Sequence, residues 1–353
     1  MKITKITLKI AAVMCVFSLI LTSFSACSEK STEFQTYALS DVMTIKISGT
    51  DEEKNADVMN TLNAAVRKTE KAVSVKDENS EINILNSTKT LYASDYFRKL
   101  MNECLIIGET TQKAANVSLG EITSLWGFYG DSPAVPDENE LKKAVDGIGL
   151  WKIELSQQNN KISLPSDLSV DLHSMEHGIV LDSAYEEVKL FNTPIMLTLG
   201  NTVLACGRGP SSGRWQIDIP SYDGKKTVAS LRLAPATDLN MLAVSTAYVT
   251  DCSFTEDGVT YHCHVSPATG RPVETDLVSV TVTAASALNA DALSSACFVT
   301  GFSEDTLTYL SYFGAEALFI FNDGTYYATD GLADSLSIKD RGLTLTSTEI
   351  TTD

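Results

Sequence analysis

Apolar residues recur along this chain with two periods, and the switches between them mark its elements. Val42, Ile45 and Ile47, with Met43 and Thr44 between, predict one strand over residues 36–49. Leu62, Ala65, Val66 and Thr69 then fall at helical spacing and predict a helix over about 57–72. The strongest helical pattern covers 94–115: Ser94 is a capping residue, and Phe97, Leu100, Met101, Cys104, Leu105 and Gly108 form one apolar stripe. Another helix, over 137–147, opens at Pro136 with Asp137 three residues before Glu140, the spacing of a capping box. Residues 195–207 read as a buried strand and loop, and 278–284 as a β-branched strand. Residues 318–321 and 325–328 form a closing hairpin around Asn322, Asp323 and Gly324. Before them, Val259, Tyr261, Cys263 and Val265 alternate with Thr260, His262, His264 and Ser266 at strand period. Pro267, Gly270 and Pro272 then fix a turn.

Three stretches carry chemistry. The first holds two of the chain's four histidines, His262 and His264. It reads as an ordinary hairpin with a polar face, as a zinc site from His262, Cys263 and His264, or as a strand and turn facing a ligand. On a strand, 262 and 264 share a face and 263 points away, so the three do not easily meet one ion. The second is Asp171-Leu-His-Ser-Met-Glu-His-Gly-Ile-Val-Leu-Asp182, a strand end entering a helix. Such a turn presents backbone N–H groups and a positive dipole end, which suit a pyrophosphate; it also reads as a polar helix start with a solvated histidine. The third is 289–297, where Asp291 shares a helix face with Ser294 or Ser295. Carboxylate, hydroxyl and carbonyl oxygens suit Mg²⁺, and Asp291 could equally be a helix N-cap.

Composition narrows the setting. Lys2, Lys5 and Lys9 precede an apolar run over 10–21, and Phe24-Ser25-Ala26-Cys27 has the form of a lipoprotein box with Cys27 lipidated. A plain signal peptide or a membrane helix is the alternative. No other stretch approaches the roughly 20 apolar residues that a span needs. Removing the three signal lysines takes the formal charge from −18 to −21, which argues against nucleic acid or anionic lipid as the main partner. Cys104, Cys206, Cys252, Cys263 and Cys297 are odd in number and scattered, no disulfide framework for a chain of this length. The expected organisation is a signal peptide over 1–26, a lipid-anchored linker over 27–35, one domain over 36–345 and a flexible tail over 346–353.

The blocks resemble a known family. Tyr261, His262, Pro267, Thr269, Gly270 and Pro272 stand where the ApbE family of FAD:protein FMN transferases has Y-H-H-I-I-D-P-x-T-G-x-P, with Cys263 for its second histidine and Ser266 for its aspartate. Residues 74–86 match S-x-x-D-x-x-S-E-I-x-x-L-N, and Gly120, Leu125, Trp126, Gly127 and Phe128 hold the register of another block, with Trp126 and Phe128 read as core. Asp171, Leu172, Gly178 and Asp182 match D-L-G-G-I-A-K-G-Y-A-V-D, with His173 and Ser174 for two glycines and His177 for the lysine. The resemblance runs in family order over roughly residues 36–330.

It implies an α+β fold: one compact domain with two subregions, mixed sheets flanked by helices. The implied reaction is Mg²⁺-dependent transfer of FMN from FAD to a threonine hydroxyl of a target flavoprotein subunit of a membrane redox complex. The chain would be held by the Cys27 lipid on the extracytoplasmic face of the cell membrane, with no nucleic acid partner. By position, His262 is the base. Leu39, Asn116, Asp171, His177, Ser245 and His264 hold FAD, and Asp291, Ser295 and the Ser174 carbonyl hold Mg²⁺. Altered polar and glycine positions (Asn116, His173, His177, Asn201, Thr246, Ala247, Ser266) also fit a non-catalytic flavin-binding relative, or an FAD pyrophosphatase giving FMN and AMP.

Overall fold

Strand alternation decides the architecture. The structure, a computed structural model, describes residues 31–49, 51–210, 212–233 and 241–346. Its main sheet has nine strands: β1 (Ser31–Ala38), β2 (Asp41–Ser48), β3 (Ile195–Leu199), β4 (Thr202–Cys206), β5 (Met241–Tyr248), β6 (Leu277–Ala284), β7 (Glu316–Phe321), β8 (Thr325–Ala328) and β9 (Thr344–Leu345). They lie side by side in that order, antiparallel except for the parallel pair β8–β9.

Along β3 and β7 successive residues point to opposite faces. Ile195, Leu197, Ala317 and Phe319 enter the large core, and Met196, Leu318 and Ile320 enter a second core on the other face. Helices cover the first face: α1 (Glu52–Val73), α2 (Glu81–Thr88), α3 (Asp95–Thr110), α6 (Glu176–Val188), α7 (Ala287–Thr300) and α8 (Glu304–Tyr312). A three-stranded sheet of Trp215–Pro220, Thr227–Leu233 and Leu336–Ile338 covers the second. Helices α4 (Gly120–Trp126) and α5 (Glu138–Gly147) pack Trp126, Leu141 and Ala144 against Val265 as a satellite cluster. This is the α+β fold, with helices on one side of a largely antiparallel sheet.

Several boundaries moved. Residues 36–49 are a hairpin, not one strand: Leu39 and Ser40 turn at φ 54° and 71°, pairing Ala38 with Asp41. Both central residues of such a turn need positive φ, usually supplied by Gly or Asn, and neither Leu39 nor Ser40 signals it. Residues 31–35, read as part of a linker, belong to β1 and pair with β2. The signal peptide expected over 1–26, Cys27, residues 28–30 and the tail over 347–353 lie outside the described residues. Within them, no helix is long and apolar enough to cross a membrane. The strand read over 259–266 stops at Tyr261. Ser94 and Asp137 cap α3 and α5 as expected, with side chains accepting from Phe97 N and from Asn139 and Glu140 N.

Candidate functional site

Helix α7 is buried nearly all round, and a carboxylate inside it has to find donors. Its N-cap is Ser286, whose side chain accepts from Asn289 N, so Asp291 is not the cap. Instead Asp291 Oδ1 accepts from Thr202 Oγ1 and Ser245 Oγ, each at 3.0 Å, and Oδ2 accepts from Gly178 N at 2.9 Å. A carboxylate has about four acceptor positions, so one is left over. Burial pushes the Asp291 carboxyl up, while His177 and these donors oppose it. Helix α6 comes this close because position 178 is glycine: a β-carbon there would lie 2.3 Å from Ala287 O. Asp182, one turn on, accepts from Ala287 N and Leu288 N and caps the start of α7.

Asp291 opens onto a cavity of about 390 Å³ lined also by Asp41, Tyr129, His173, Ser174, His177, Asn201, Asp251, Cys263, His264 and Ser295. A larger cavity of about 660 Å³, beside Tyr185, Lys189 and Arg208, holds none of the residues singled out above. We place the site in the smaller one because the chemistry converges there.

Its cation is one that the sequence reading passed over. His173 Nδ1 lies 2.6 Å from Asp171 Oδ1, which also accepts from His173 N, and the ring stacks on Tyr129 with centroids 3.6 Å apart. Burial lowers the imidazole's affinity for its proton, but Asp171 outweighs it and pushes His173 up to about 9. Asp171 is held below its ordinary range by His173, against its own burial. A charged imidazolium therefore stands at 173, four residues from the position where the family block carries lysine. Tyr129 and His173 also line an adjoining cleft with Asp171.

His177 packs on the turn between β3 and β4, where a β-carbon on Gly200 (φ 53°) would lie 2.4 Å from its ring. Asn201 turns its amide to Asp251 at 3.1 Å. Asp251 Oδ2 accepts from Tyr248 N at 2.7 Å and lies 3.5 Å from His264 Nε2. That nitrogen faces Tyr248 O at 3.1 Å, an acceptor only, so Nε2 carries a hydrogen.

The structure thus brings Ser174, His177, His264, Asp291 and Ser295 together, with Ser245 directly behind Asp291. Ser294 spends its hydroxyl on Asp291 O at 2.9 Å, leaving Ser295 as the hydroxyl one turn on. Others lie apart. His262 is not in the cavity wall: its ring sits behind, against His264 and Phe298, and Nδ1 is buried without a hydrogen-bond partner among the described residues. Burial, then His264, brings His262 down to about 4. Asn116 closes its own turn, accepting from Ser118 N and Oγ, and lines a different cavity with Trp151 and Ser266. Leu39 sits in the β1–β2 turn, its N–H on Glu70 Oε1. Trp126 is core, its indole N–H on Gly270 O at 2.7 Å. Thr202, Tyr129 and Asp251 escaped the sequence reading because long-range packing alone brings them here. Among the described residues no three of His, Cys, Asp and Glu gather as a metal site, so the zinc reading has no support.

The sequence profile of the ApbE family matches residues 40–319. The chain belongs to the ApbE family. It is 28% identical over 270 residues to a protein named FAD:protein FMN transferase from Treponema pallidum, covering 71% of each chain. A protein of the same name from Haemophilus influenzae is 28% identical over 213 residues, covering 58% of this chain and 60% of that one. Two solved structures share the fold. The ApbE protein of Thermotoga maritima superposes with TM-score 0.78 at 23% identity, covering 86% of this chain and 98% of that one. The apo flavinyl transferase ApbE of Pseudomonas stutzeri gives 0.74 at 22%, covering 88% and 98%.

Proposed function

We propose that this chain transfers FMN from FAD to a threonine hydroxyl of a protein acceptor. The carrying observation is the cavity on which Asp291, Ser174, Ser295, His264 and the His173 imidazolium converge. In the reaction the hydroxyl oxygen bonds to the flavin-side phosphorus, the bridging P–O bond breaks, and AMP leaves with that oxygen. Charge gathers on the phosphate oxygens, so fixed cationic and N–H groups aimed at them lower the barrier.

The donors fit a hard divalent cation: all are oxygens, and Asp291 has one acceptor position unspent. Asp291, Ser295 and Ser174 would hold Mg²⁺, which when bound neutralises pyrophosphate oxygens and keeps water and phosphate as its remaining ligands. His173, charged and stacked on Tyr129, binds the pyrophosphate as an anion and substitutes for the lysine lost at 177. The attacking hydroxyl's proton goes to Nδ1 of His264, positioned by Tyr248 O and Asp251. His262, the base implied by the resemblance, is the weaker choice: an imidazole at about 4, behind the wall, takes a proton poorly at neutral pH.

A second reading rests on one observation. The His177 ring fills the space over Gly200, which suits a flavin-binding relative that does not turn over.

Incubating the domain lacking residues 1–27 with FAD, Mg²⁺ and a threonine-bearing acceptor, then weighing the acceptor, decides between them. The transferase gives an FMN-sized mass increase that falls at least about 100-fold in Asp291→Ala. Tight FAD binding without labelling establishes the binding relative, and free FMN and AMP without labelling a pyrophosphatase. The acceptor's place in a membrane redox complex and the Cys27 anchor on the extracytoplasmic face belong to this proposal as well.

A further inference from the structure

Five described cysteines are free thiols, and burial divides them. Cys104 and Cys297 are fully buried and Cys206 is 5% exposed, whereas Cys252 is exposed and Cys263 half-buried. The last two both line the cavity that holds Asp291 and His264. Eleven positions apart in sequence, they are brought together by the return of the Phe254–Glu256 and Val259–Tyr261 hairpin. Cys263 N and Cys263 Sγ both donate to Asp251 O, the sulfur at 3.3 Å. That carbonyl belongs to the peptide joining Asp251 to Cys252, so one sulfur already touches the other residue's backbone. The neighbouring Cys263 thiol holds Cys252 below its ordinary range, against burial. Cys252 keeps a left-handed backbone at φ 47°, a region that favours Asn or Gly over cysteine.

We propose that Cys252 and Cys263 are a redox-active dithiol that closes to a disulfide in the wall of this cavity. The bond would tie the turn carrying Asp251 to the segment carrying His264, fixing the cavity rim. With oxidised glutathione as oxidant, the Cys252 thiolate attacks its disulfide and releases one glutathione thiol. Cys263 sulfur then displaces the second, so the Cys252–Cys263 bond forms and two glutathione thiols carry away both electrons and both protons. The proposal concerns the dithiol alone and stands whether or not the chain transfers FMN.

The full chain in mild detergent, treated with excess oxidised glutathione, alkylated with iodoacetamide and cut after Glu256, provides the test, since that cut separates the two cysteines. The fragments carrying Cys252 and Cys263 should stay joined, lighter by two hydrogens than the free pair, unalkylated, and released by dithiothreitol. Cys252→Ser should leave Cys263 alkylatable or carrying one glutathione. Separate glutathione adducts on both cysteines of the unmodified chain, or both fully alkylated, would overturn the dithiol.

Discussion

At the scale of residues, position in the fold reassigns roles that residue type alone suggests. Two imidazoles lie 5.6 Å apart, centroid to centroid, yet only His264 reaches the cavity. His264→Gln should therefore cut acceptor labelling at least about 100-fold with FAD binding retained, whereas His262→Gln should cost about tenfold or less. The reverse order, read from the rate of mass increase, would return the base to His262.

His173 makes a pH prediction. Its folded value, about 9, lies above the ordinary 6.5, so the pair's contribution is whole at pH 6.5 and is lost as pH rises through 9. At the acid end, Asp171, held below 3.8, removes it as pH falls through its lowered value. The stability advantage over His173→Gln should thus be greatest between about pH 4 and 6.5 and shrink by up to about 3 kcal/mol by pH 9.5. Urea midpoints across that range check it; a constant difference would mean that folding leaves the affinity of His173 for its proton unchanged.

At the scale of elements, the site depends on how closely α6 approaches α7. Gly178 gives up its N–H to Asp291, and its missing side chain lets the backbones meet. Gly178→Ala sets a methyl against backbone that cannot rotate aside, so it should destabilise by about 3 kcal/mol or more and lower the melting temperature. An unchanged melting temperature would show that the helices can separate at little cost. The glycine's place in its block was legible in the sequence; its reason was not, because the atoms it spares belong to residues more than a hundred positions away. The Leu39–Ser40 turn was illegible for the opposite reason: neither residue type announces positive φ.

At the scale of the whole molecule, chain order and sheet order coincide along β1–β9, and the connections between strands carry the site. The cavity takes walls from β2's start, the α4–α5 connection, the α6 entry, the β3–β4 turn, the end of β5 and α7. The net charge of −18 makes the local cation at His173 the more necessary for an anionic substrate. If Cys27 carries the anchor, Cys27→Ala should move the protein from the membrane to the soluble fraction with its activity intact, scored by fractionation and blotting. Unchanged membrane association would remove the lipid from the proposal.

Sequence by itself determined the periodic elements, the Ser94 and Asp137 caps, the family blocks and the helix face that Asp291 shares with Ser294 and Ser295, because each is written in local spacing. Only the tertiary structure decided which of those residues share a cavity. It set His264 in the wall and His262 behind it, spent Asn116 on its own turn, and charged His173, against its burial, by setting it beside Asp171. Those outcomes depend on desolvation and on contacts between residues far apart in the chain, which no local pattern encodes.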